Sequence, residues 1–99
     1  MSGTIRRAVI HGRVQGVGYR AWLEHQAITL GLRGWVRNRR DGSVEALFEG
    51  TEGMVTKMVA SCKRGPSSAR VDDVQEEAAS VDTLGLRRPG EAFSVLPTI

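Results

Sequence analysis

A chain of 99 residues with 40% hydrophobic content can bury one core but not two, so a single domain spanning 1–99 is expected. No apolar run nears the ~18 residues of a membrane span, no apolar secretory stretch stands at the start, and lone Cys62 with His11 and His25 allows neither a disulfide nor a zinc spacing, which predicts a cytoplasmic protein without metal or membrane contact. The net charge of +3 is uneven: 1–50 carries eight arginines against four acidic residues and 51–99 six basic against seven acidic, which favours a negatively charged ligand for the first half.

In chain order, Ile5 to His11 alternates Ala8 and Ile10 with Arg7 and Val9, the pattern of a strand partly covered on its second face. A glycine-rich stretch, Gly12 to Arg20, then leads into a helix over Arg20 to Leu30, with Trp22, Leu23, Ala27 and Leu30 on one side and Gly31 as its C-terminal cap. Trp35 to Arg39 reads as a strand and Asp41-Gly42 as a hairpin turn. In the returning strand Val44, Ala46 and Phe48 alternate with Glu45 and Glu49. Thr51 caps a second helix whose stripe of Met54, Val55, Met58, Val59 and Cys62 reads as core filling, and Gly65-Pro66 stops it. Ala69 to Glu77 is a strand in which Val71 and Val74 break strict alternation, as at a bulge. Residues 78–92 read as loop, and Phe93 to Leu96 as a short closing strand.

This order, β-α-β-β-α-β with room for a fifth strand, predicts an α+β ferredoxin-like sandwich. Its antiparallel sheet of four to five strands would carry both helices on one face and leave the other largely open, with the first and third strands central and parallel. Trp22 and Trp35 read as packing residues, and His11 and His25 as ordinary structural residues.

The stretch Gly12-Arg13-Val14-Gln15-Gly16-Val17-Gly18-Tyr19-Arg20 places glycines between a strand and a helix. Gly16 and Gly18 can take torsions closed to other residues, turning successive N–H groups inward, while the helix start adds unpaired donors and the positive end of its dipole. Arg20 adds a permanent charge and a planar fork suited to phosphate oxygens. Nucleotide motifs do not fit: no Lys-Ser/Thr follows the last glycine, and there is no G-x-G-x-x-G.

That stretch, followed by Gly31-Leu32-Arg33-Gly34-Trp35-Val36-Arg37-Asn38 and Asp41-Gly42-Ser43-Val44-Glu45, closely resembles the two signatures of the acylphosphatase family, and the resemblance runs from about Ile5 to about Glu77. It implies hydrolysis of acyl phosphates to a carboxylate and inorganic phosphate, the latter product and inhibitor, without metal or cofactor; a monomer is expected. By the same resemblance, Arg20 binds the phosphoryl group and Asn38 positions the attacking water. The amides of Gln15, Gly16, Val17, Gly18 and Tyr19 form the cradle, Tyr19 standing where phenylalanine is commoner. Two other readings compete. An RNA-binding module shares the strand order, but Val44 to Gly50 offers only Phe48 and two glutamates where stacking aromatics are needed, so no nucleic-acid partner is expected. A phosphate-sensing domain without turnover is disfavoured by the presence of both Arg20 and Asn38.

Overall fold

The computed structural model describes residues 3–99, so Met1 and Ser2 of the expected 1–99 domain lie outside the described residues. Strands β1 (Thr4–Arg13), β2 (Arg33–Asn38), β3 (Val44–Gly50), β4 (Arg70–Ala78) and β5 (Phe93–Val95) form one sheet in the order β4-β1-β3-β2-β5. Helix α1 (Tyr19–Thr29) joins β1 to β2 and α2 (Glu52–Arg64) joins β3 to β4. Thr51 caps α2, its Oγ1 accepting from the Met54 N–H at 3.3 Å, and Gly65 ends it at φ +67°.

The strand directions correct the sequence reading. A helical crossover makes β1 and β2 parallel, and the tight β2–β3 turn then reverses β3, so β3 pairs antiparallel with β1 rather than parallel to it. The fifth strand forms, but it runs parallel to β2, Gly34 opposite Phe93 and Val36 opposite Val95, which makes the sheet mixed instead of antiparallel.

The inner face carries both helices. Ala8, Ile10, Val36, Val44, Ala46 and Phe48 of the sheet meet Leu23 and Ala27 of α1 and Val55, Met58, Val59 and Cys62 of α2 in one buried cluster. Between His11 and Gly12 the pairing with β4 shifts from Asp73 to Val71, leaving Asp72 as the extra residue. That bulge is why Val71 and Val74, three positions apart, both pack on the core.

The outer face is covered over β2 and β3, while the outward residues of β4 stay exposed. A 3-10 segment, Val81–Leu86, lies within the stretch that reads as loop and brings Leu84 over Trp35, Leu47 and Leu96 in a second buried cluster. The Trp35 indole N–H donates to the Thr83 carbonyl at 2.8 Å, so the largest side chain of this cluster is also tied by its polar tip. Beside it, Glu45 is only 5% exposed and bridges Arg7 at 2.5 Å and Arg37 at 2.7 Å. Arg37 also stacks over the Trp35 ring at 4.7 Å. A bare stacking platform for bases is thereby excluded on this face.

Candidate active site

Because β1 and β2 run parallel with β3 between them, the loop leaving β1 and the last residue of β2, Asn38, emerge at the same end of the sheet. They line one cleft of about 280 Å³, together with Arg20 at the start of α1. The loop is built by alternating torsions: Gly16 at φ +74° and Gly18 at φ +79°, the latter the N-cap of α1. Among the described residues no backbone carbonyl accepts from the amides of Gln15, Gly16, Val17 or Gly18, and the first donor of the helix is Trp22, to Gly18 at 3.1 Å. Among the described residues the N–H groups from Gln15 to Ala21 thus have no partner within the backbone ladders.

Arg20 is half-buried, lines the cleft and joins none of the ion pairs among the described residues. Asn38 faces it from β2. Its backbone is held by the Val44 pairing of the β2–β3 ladder and by the Ile99 N–H, which donates to the Asn38 carbonyl at 3.1 Å. Its side-chain Oδ1, by contrast, is buried with no hydrogen-bond donor among the described residues. Leaving a buried acceptor without a partner costs about 1–3 kcal/mol.

Gln15, Gly16, Gly18, Tyr19, Arg20 and Asn38 all line this cleft; Val17 belongs to the loop but not to the cleft wall. The Val17 carbonyl instead accepts from Ser68 Oγ at 2.9 Å, pinning the loop from the α2–β4 connection. The Tyr19 side chain turns into the core. There the hydroxyl donates to the Cys62 carbonyl at 2.8 Å, and burial drives its pKa far above the ordinary phenol value. Burial likewise pushes the Cys62 thiol up to about 12, which leaves it protonated and unreactive. Arg37, next to Asn38 in the chain, is committed to Glu45 on the opposite face of the sheet.

Sequence reasoning overlooked other cleft residues. Glu24 lies one helical turn beyond Arg20, a spacing that puts both on one side of α1 and could have revealed it. Val95, from β5, reaches the cleft only because β5 pairs with β2, for which no local signal exists.

The family model described as Acylphosphatase matches residues 6–85. A protein of Bradyrhizobium diazoefficiens named acylphosphatase is 64% identical over 99 residues, covering all of both chains. Among solved structures, an acylphosphatase from Coxiella burnetii superposes with a TM-score of 0.83 at 28% identity, covering 96% of this chain and 94% of its own. One from Bacillus subtilis superposes with a TM-score of 0.79 at 34% identity, covering 93% and 97%.

Proposed function

The chain belongs to the acylphosphatase family and hydrolyses acyl phosphates; we propose that Arg20 and the loop amides hold the phosphoryl group while Asn38 places the attacking water. The observation that carries this is the buried Asn38 Oδ1, in the same cleft as the Arg20 guanidinium, the one without a donor and the other without an acid partner among the described residues.

Phosphoryl transfer passes through a loose transition state with charge spread over the equatorial oxygens, so positioning and electrostatics do most of the work. The amides of Gln15, Gly16, Val17, Gly18 and Tyr19 and the fork of Arg20 meet that charge. The water donates to Asn38 Oδ1 and accepts from Nδ2, which aims a lone pair at phosphorus without removing a proton. As the new O–P bond forms, the bond from phosphorus to the acyl oxygen breaks and its electron pair leaves with the carboxylate. The water's proton passes to a phosphate oxygen or to solvent. A carboxylate is stable at neutral pH, so no general acid is required, and the reaction proceeds without metal. Inorganic phosphate, the product, occupies the same cradle and inhibits. The protein acts as a monomer in the cytoplasm, a reducing compartment that suits its single unpaired cysteine.

The test is turnover of a model acyl phosphate with EDTA present. Arg20→Ala should fold normally, lose ~10³-fold or more in rate and weaken phosphate inhibition, as expected for a charge-stabilising arginine. Retention of more than about a tenth of the rate, a loss of only ~1.4 kcal/mol, would remove Arg20 from the role.

A further inference from the structure

The cradle and the water site lie on different elements, and one side chain connects them. Gln15 supplies a cradle amide from its backbone, but its carboxamide turns away toward the β2–β3 turn. Its Nε2 donates to the Arg39 carbonyl at 2.7 Å and to the Ser43 carbonyl at 2.8 Å, so both amide hydrogens are used. Only a donor can face two carbonyl oxygens, which also settles the orientation of the amide.

These two carbonyls are the ones that close the turn. Ser43 O accepts from Arg39 N–H at 2.9 Å, and Arg39 O accepts from Gly42 N–H at 3.1 Å. Gln15 therefore fills the second lone pair of each. Within the turn, Asp41 Oδ1 takes the Ser43 N–H at 2.9 Å and the Ser43 hydroxyl at 2.6 Å, and Ser43 is buried. From outside the turn the other backbone tie is Arg40 N–H to the Ile99 carbonyl at 3.0 Å.

Asn38 immediately precedes this turn, and among the described residues its Oδ1 has no hydrogen-bond partner to hold it in place. We propose that Gln15 is a positioning residue: its side-chain amide fixes the turn after Asn38 relative to the phosphate cradle and so sets the distance between the water and the phosphorus. The inference rests on the water-orienting reading of Asn38. Gln15 then has two separable roles, the backbone binding phosphate and the side chain serving turnover.

The separation defines the experiment. Gln15→Met removes both donors at similar volume, and Gln15→Glu keeps the shape but faces the two carbonyls with a carboxylate. Each is assayed alone and with Asn38→Ala, reading kcat, the phosphate inhibition constant and the thermal midpoint. Because an ångström of misplacement can cost ~10²-fold, kcat should fall roughly ten- to a hundredfold in either single variant, with phosphate inhibition nearly unchanged. In the Asn38→Ala background the same substitutions should cost little more, since two residues acting through one step are not additive. Equal losses in both backgrounds would overturn the proposal, as would unchanged kcat in a folded Gln15→Glu or a parallel rise in the phosphate constant. A wild-type rate for Asn38→Ala alone would instead refute the reading of Asn38 beneath it.

Discussion

Gly16 and Gly18 hold positive φ, yet nothing lies within 4 Å of the place a Cβ would occupy at either. The requirement is torsional and not steric. Gly18→Ala should therefore cost ~1–2 kcal/mol, the usual penalty of a left-handed L-residue, and raise the phosphate inhibition constant severalfold as the loop relaxes. D-alanine, which favours positive φ, should restore phosphate binding when introduced by chemical ligation. Equal phosphate binding by the two enantiomers would sink the torsional explanation. At Asn38 the corresponding question is orientation against basicity. Asn38→Asp should lose on the order of 10²-fold in kcat or more, because it removes the amide donor and brings a negative charge toward an anionic substrate. Near-normal turnover by Asn38→Asp between pH 5 and 8 would mark the position as a base. Both the glycines and Asn38 could be named from the sequence, because loop torsion and the motif that carries Asn38 are written within a few neighbouring residues. The target of the Gln15 side chain could not, since Arg39 and Ser43 are 24 and 28 residues away in the chain.

Among the elements, the 3-10 segment Val81–Leu86 shows where periodicity stops informing. One buried leucine, Leu84, between exposed Val81 and Leu86 leaves no stripe to detect, yet it closes the cluster beneath Trp35. Trp35→Phe deletes the hydrogen bond to Thr83 and part of the ring, and should destabilise the protein by about 1–3 kcal/mol. Because Trp35 lies on the face away from the cleft, kcat at 25 °C should change less than about twofold, a change worth ~0.4 kcal/mol in barrier. Denaturant melts and turnover on one preparation check both; a loss of turnover without a loss of stability would mean the outer face communicates with the site. The bulge in β4 is the opposite case. The odd spacing of Val71 and Val74 was visible in the sequence, since a bulge shifts side-chain alternation by a countable residue.

For the molecule as a whole, the outer-face cluster links stability to pH. Burial by itself would raise the Glu45 pKa, but hydrogen bonds from Arg37 and Arg7 and their charges outweigh it and hold the carboxyl below its usual range. A carboxyl depressed in the folded state stabilises above the unfolded pKa, and that contribution disappears as pH falls through the lower, folded value. Glu45→Gln should therefore cost about 2 kcal/mol at pH 7, at the modest end for breaking a buried pair because Arg7 and Arg37 keep some solvent access. The deficit should narrow steadily below about pH 4 as the wild-type carboxyl itself takes a proton. Unfolding curves for the two proteins that stay parallel down to pH 2 would contradict the assignment. The sequence by itself determined the two helices, the order of elements along the chain and the family to which they belong, because each is encoded by short-range periodicity or motif spacing. Tertiary structure alone decided the antiparallel β1–β3 pair, the parallel β5, the covered outer face and the Gln15 tie. All of these join residues far apart in the chain, and such contacts come into being only when crossover handedness and strand register bring their partners together.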